Sequence, residues 1–399
     1  MSANKPPFDG EWVRLKGRVE YVRGVTYKAA VDLHEELDRG SYILLRANNI
    51  QDGRLSFDDV QYVDKSKVKP KQLLRKGDIL ICASSGSRSL VGKAALVEND
   101  VPITFGAFCC VLRPKTGESE YLGHYFQSRQ YRKAIERACS GSNINNLKAA
   151  SFESLIVPLY SKTDMLSVVG VLDALVAQKR GTESQLELLD TLVKSRFVEM
   201  FGGMKYESVP MGHLVAEIVA GTNVGGKQRS LLKGEYGVLK ISAVTRGVFD
   251  ASQYKVVEDV SSIKMVHPRK GDLLFSRANT SEMVGATAIV DKDCACLFLP
   301  DKLWRIDPTD EVNTVFLKAL LSSSRMRREI SNASTGSSGS MQNISMTKFR
   351  SLPAFLPPLA LQQEFASFVA EVDKSRFIVQ RKVEKLQTLY DSLAQEYFG

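Results

Sequence analysis

The segment GTNVGGKQ sets Gly221, Gly226 and Lys227 at the spacing of a phosphate-binding loop, directly after the apolar run LVAEIVA. Such a loop needs a Ser or Thr hydroxyl after the lysine to hold magnesium, and a helix N-terminus to aim its amides at phosphate. Gln228 follows the lysine, and RSLLKGEYG beyond it is short and broken by glycine, so the segment reads as a flexible basic loop. Metal-dependent nuclease chemistry would pair carboxylates with a nearby Glu-x-Lys. The chain contains no Glu-x-Lys, and no GxSxG elbow presents a serine nucleophile. Six cysteines, without a CxxC, and four scattered histidines offer no zinc-ligand spacing. The cysteines lie mostly in apolar runs, which suits reduced, buried thiols. No catalytic residue and no metal ligand is expected.

KPPF, from Lys5 to Phe8, is similar to the Asp/Asn-Pro-Pro-Tyr/Phe element of adenine N6-methyltransferases. There the first side chain must accept a hydrogen bond from the amino group being alkylated, and lysine only donates. Recognition residues are easier to find. The net charge is +9, and the cations gather near turns. DKSKVKPKQLLRK has the composition of a solvated face. Arg46 lies within YILLRANNI, Arg88 and Lys93 follow one turn, and Lys227 and Arg229 sit in the glycine loop. Phosphate neutralisation uses such groups. Base reading needs Arg, Asn, Gln, Ser or Thr held on a rigid frame. Ser85, Ser87 and Arg88 in ASSGSRS and Arg277, Asn279, Thr280 and Ser281 in SRANTSE supply them, and double-stranded DNA is the expected partner.

These two loops follow one frame written twice. RKGDILICASSG from Arg75 lies over RKGDLLFSRANT from Arg269, and YILLRANNI from Tyr42 over YGVLKISAV from Tyr236, both 194 positions apart. Val91-Gly92 and Val284-Gly285 continue the match, and FVEMFG ending at Gly202 corresponds to AQEYFG ending at Gly399. Such self-similarity decides the architecture. Each copy predicts short strands (YILLRA, DILICAS, AALVE, ITFGAFCCVLRP; YGVLKIS, DLLFSRA, ATAIVD, CLFLPDKLWRID), then a Gly/Ser loop at 140–143 or 334–340, then a long helix. Val379, Val383, Leu386, Tyr390, Leu393 and Tyr397 step by four and three, as in a coiled-coil seam. Leu186, Leu189, Val193, Phe197 and Met200 form a similar stripe, continued upstream by Val169, Leu172 and Val176 and interrupted by Lys179 and Glu183. Helices over about 163–200 and 361–397 would each be roughly 55 Å long. Mutual pairing is expected through Leu186, Leu189, Val193, Val383, Leu386 and Leu393; burial against each helix's own globule is the plainer account. The loops are where the copies diverge most, as two readers of different sequences require, although drift of exposed loops gives the same pattern.

With this repeat, LPPLALQQEF from Leu356 and STGSSGSMQNIS before it, the chain resembles the specificity subunit of type I restriction-modification systems. Pro357, Pro358, Leu359 and Gln362 match that family's helix opening, and Asn343, Ile344 and Ser345 match the segment that closes a target-recognition domain. The first copy departs: IVPLYSKTDML keeps Pro158-Leu159 but lacks the second proline and the glutamine. The resemblance spans essentially the whole chain. It implies an α+β protein with two repeated globular target-recognition domains (1–150 and 204–350) separated by two long antiparallel α-helices (151–203 and 351–399) in a pseudo-two-fold arrangement. Each domain would read one half of a split DNA site, the readers standing about one helical turn, ~34 Å, apart. Two methylation subunits would dock on the helices, bringing S-adenosylmethionine, and restriction subunits would bring ATP and magnesium; this chain itself would bind no cofactor. Two competing readings are a stand-alone DNA-modifying or nucleotide-using enzyme built on the Gly221 loop, and an orphan protein that sequesters methylation subunits. No apolar stretch nears the ~20 residues of a membrane span and no signal peptide opens the sequence, so a cytoplasmic location is expected.

Overall fold

The computed structural model describes residues 9–139, 146–203, 206–336 and 341–399. KPPF, the Gly/Ser segment at 140–143 and residues 337–340 lie outside the described residues. Two compact units emerge, one built from the described residues up to Glu183 together with Gln380–Gly399, the other from Ser184–Val379. The first therefore combines segments remote in sequence, while the second is one continuous stretch.

Within each unit the chain forms the same pair of sheets. In the first, Ile79–Cys82 pairs antiparallel with Cys109–Pro114 and Ala94–Leu96, and Val19–Arg23 flanks Cys109–Pro114. In the second, Leu273–Ser276 pairs with Leu303–Pro308 and Thr287–Ile289, flanked by Val215–Ala220. The other sheet of each unit carries a parallel pair: Ile103–Phe105 beside Ser41–Leu45, and Leu297–Phe298 beside Tyr236–Leu239. Both central strands are buried along their whole length, as their unbroken apolar runs require.

The repeated RKGD turns start these central strands and are built alike. Gly77 and Gly271 adopt φ of 86° and 93°, a region in which a Cβ is strained. The Asp78 carboxylate accepts from the Arg75 amide at 2.9 Å, and Asp272 from the Arg269 amide at 2.8 Å. Asp100 and Asp293 accept from the Lys76 and Lys270 amides. The copies then differ. Arg113 forks onto buried Asp78 at 2.7 and 2.8 Å, whereas Arg305 turns to Asp307.

The long helices span Lys162–Phe201 and Leu359–Phe398, about 60 Å each. Both start later than 151 and 351, because the preceding residues form strands: Ile156–Leu159 pairs with Glu11–Arg14, and Pro353–Phe355 with Ser208–Pro210. In each unit one segment of each helix packs antiparallel against the other. In the first, the Tyr160 hydroxyl donates to the Tyr397 carbonyl and Lys179 to Gln387 at 2.7 Å. In the second, Arg196 meets Glu364 at 3.0 Å and Arg376 meets Asp190 at 2.6 Å. Lys179 and Arg376 are equivalent positions of the repeat, as are Gln387 and Asp190. The interruption of the first stripe is thus a cross-helix polar pair that the second copy also makes. Val168, Leu172, Tyr390, Ala394 and Phe398 close the first unit's core around Tyr121, Tyr125 and Tyr131. Phe197, Phe201 and Phe365 close the second around Phe316, Trp304 and Phe349, with ring centroids 5.1 Å apart for Phe201 and Phe316.

Of the residues expected to pair, Val193 packs against the second core and Leu393 against the first. Leu386 is buried, while Leu186, Leu189 and Val383 are half-buried. Cys82, Cys109, Cys110 and Cys294 are free and buried; Cys296 departs from the expectation and is exposed, because the turn before Leu297–Phe298 carries it outside the sheet. Among the described residues no helix is long and apolar enough to cross a membrane, and no cluster of three or more His, Cys, Asp or Glu is placed to hold a metal ion.

Candidate nucleic-acid interface

The central strand of each unit runs directly into its candidate reading loop. In the first unit the loop spans residues 84–90 and returns through Gly92 at φ 83°, whose amide donates to the Cys82 carbonyl at 2.8 Å. In the second it spans residues 277–284 and returns through Gly285 at φ 82°, bonded to the Ser276 carbonyl at 2.7 Å. Ser87, Arg88, Lys93, Thr280 and Ser281 are exposed; Ser85, Arg277 and Asn279 are half-buried. Ser87 and Ser89 share a hydroxyl hydrogen bond at 2.8 Å, and the Asn279 side-chain Oδ1 accepts from the Thr280 amide.

Three sets of bonds hold each loop, and all reach main-chain carbonyls. A turn opposite the loop accepts from its start: the Ala83 and Ser84 amides donate to the Phe108 carbonyl, and the Arg277 amide to the Lys302 carbonyl. The segment after the Gly/Ser stretch binds next to it: the Leu147 amide donates to the Ala83 carbonyl at 2.8 Å, and the Ile344 amide to Arg277 at 3.0 Å. Asn343 pairs with Ala278, Ile344 is fully buried, and Ser345 caps the helix Met346–Arg350. The last brace comes from a helix behind the loop. Arg132 donates to the carbonyls of Val91 at 2.7 Å and Ser89 at 2.6 Å, and Arg327, its counterpart, donates to Glu282. Ser331 adds a bond to the Ser281 carbonyl. These braces escaped the sequence reading, because Arg132 lies in RQYRKAIERAC, where a cation on a polar helix face looks solvated.

Four of the basic residues expected at this surface face carboxylates, Arg277 among them through Asp301 at 3.9 Å. Arg46 meets Asp59 at 2.9 Å. Lys227 meets Glu258 at 2.7 Å, and Arg229 forks onto Glu235 at 2.6 and 2.7 Å. The Arg229 hydrogen bonds, aided by the Leu232 amide, pull the Glu235 carboxyl down to about 2. The glycine loop is no nucleotide cradle: Lys227 bridges to Val256 and no helix follows before Tyr236–Leu239. Gly221 is needed for another reason, since a Cβ there would lie 1.9 Å from the Leu299 carbonyl oxygen.

Residues 9–180 and again 215–388 match the model of the type I restriction modification DNA specificity domain. The chain belongs to this family. It is 30% identical to the EcoKI specificity subunit of Escherichia coli strain K12 over 99% of its own length and 89% of that protein. With the StySPI specificity subunit of Salmonella potsdam it shares 29% identity, covering 94% of this chain and 84% of the relative. A solved chain from a study of complex assembly and conformational transition in the type I R-M system aligns over 99% of both chains with a TM-score of 0.53. At 15% identity that likeness is one of fold. The resemblance residues of the specificity subunit acquire a structural reason here. Gln362 is fully buried, accepts from the Asn313 amide at 2.8 Å and donates to the Glu311 and Pro357 carbonyls. Asn313 in turn caps the helix Thr314–Ser322. Met165 stands at the equivalent place in the first copy, where the helix opens instead on Ser161, whose hydroxyl accepts from the Asp164 amide and donates to its carboxylate.

Proposed function

We propose that each unit reads one half of a bipartite DNA site through the loop after its central strand, while subunits docked on the long helices perform the chemistry. The family role is plain: this is a non-catalytic DNA-specificity subunit of a type I restriction-modification complex. The observation that carries the finer reading is the duplicated frame. Two sheets, two glycine-turn returns and two arginine braces recur, whereas the side chains presented differ: Ser85, Ser87 and Arg88 in one, Arg277, Asn279, Thr280 and Ser281 in the other. Lys93 and neighbouring cations would contact phosphates, which positions the protein without choosing sequence. Partner subunits, two for methylation and others for restriction, would supply S-adenosylmethionine, ATP and magnesium in the cytoplasm, with this chain binding none of them.

Mapping methylated adenines in DNA treated with the assembled complex tests this reading. Exchanging residues 1–150 for those of another family member changes one half-site only. A change in both halves, or in neither, removes the modular reading. Deleting one heptad from each long helix, about 10 Å of rise, alters the spacer and preserves both half-sites. The purified chain supplied with S-adenosylmethionine alone methylates nothing.

A further inference from the structure

We infer that Phe108 is a specificity-determining residue of the first unit, making an apolar contact with a thymine methyl in its half-site; the inference rests on the proposed reading of DNA by this unit. At 72% exposure Phe108 is the most exposed Phe or Trp among the described residues. A lone exposed apolar side chain is ordinary in itself, so its setting decides the matter. The backbone beneath it is fixed: the Gly106 amide donates to the Leu45 carbonyl at 2.9 Å, and the Cys109 amide to Gly106 at 2.8 Å. The Phe108 carbonyl takes the amides of Ala83 and Ser84 at 2.9 and 3.0 Å, the two residues that open the reading loop. An aromatic residue is thus anchored at the root of a loop whose exposed positions are serines, glycine and arginine.

The second unit supplies the comparison. Its equivalent turn uses the Lys302 carbonyl to accept from the Arg277 amide at 3.0 Å. One frame therefore presents phenylalanine in the first copy and lysine in the second. Base edges in the major groove are polar except for the thymine C5-methyl, which side chains such as phenylalanine contact. Lysine at the same place serves a phosphate or a base acceptor.

The test uses the specificity subunit assembled with its methylation subunits, on duplexes carrying the half-sites mapped for the wild type. Phe108→Ala relaxes discrimination for thymine at one position of the first half-site by about fourfold, the worth of one buried methyl group. The second half-site and the salt dependence stay as they were. Replacing that thymine by deoxyuridine lowers wild-type methylation by the same factor and leaves Phe108→Ala indifferent, while Phe108→Leu keeps part of the preference. Unchanged discrimination in Phe108→Ala, or indifference of the wild type to deoxyuridine, overturns the inference. A loss independent of base identity, with unstacking reported by 2-aminopurine fluorescence, also overturns it, in favour of an intercalating wedge. A wild-type complex that methylates without sequence preference sinks the proposed function itself, a result distinct from the others.

Discussion

His124 shows how a single side chain ties a recognition unit to both long helices. Its Nδ1 lies 3.0 Å from the Tyr390 hydroxyl and its Nε2 3.0 Å from Asp173. Burial is the larger influence and pushes its pKa below the ordinary 6.5, while the Asp173 charge and hydrogen bond act against it. The folded state thus favours the neutral ring. Its contribution to stability is complete above pH 6.5 and is lost as pH falls below that value toward the folded pKa. Urea unfolding of the wild type between pH 7.5 and pH 5.5 should show this acid-side loss, and His124→Asn should flatten it. Arg132 offers a second test. Replacing it by Ala leaves the Val91 and Ser89 carbonyls without their charged donor and should cost roughly 1–3 kcal/mol. Methylation at the first half-site should relax or weaken while the second is retained; Arg327→Ala should do the reverse.

The elements differ in how much of them the sequence displays. The long helices were legible because their stripes repeat over several turns, and the central strands because each copy vouches for the other. The structure extends the C-terminal stripe upstream through Phe365, Val369 and Val372, all packed or buried. Short strands such as Glu11–Arg14 were not legible: they are exposed or half-buried, so no alternation marks them. The parallel pair Ile103–Phe105 with Ser41–Leu45 joins residues about sixty apart, and nothing in either segment names its partner. Ion pairing is hidden for the same reason, since Lys227 finds Glu258 only after the chain folds back. Helix openings give a direct experiment. Gln362→Met, which copies the residue of the first repeat, strands the Asn313 amide and two carbonyls. It should lower stability by roughly 1–3 kcal/mol in thermal or urea unfolding. Met165→Gln should bring no matching gain, because the first helix is already capped by Ser161.

For the whole molecule, the composition of the first unit runs against sequence order. Gln380–Gly399 belongs to the unit that contains the first reading loop, and Phe398, Ala394 and Tyr390 fill its core. Phe398→Ala should therefore cost roughly 3–5 kcal/mol. In hydrogen exchange the loss of protection should appear at residues 119–135, with residues 207–355 retaining theirs. Protection lost first in the second unit would contradict this. The same organisation explains why composition and charge carried the reading only so far: a net +9 points toward polyanions, but the cations that matter are those left after internal carboxylates have taken their share. The loop braces, finally, grip peptide carbonyls, which every amino acid offers alike. Variation at residues 85–88 or 280–283 is thereby largely decoupled from folding, so new target sequences are open to this scaffold through small substitutions, without rebuilding the protein that presents them.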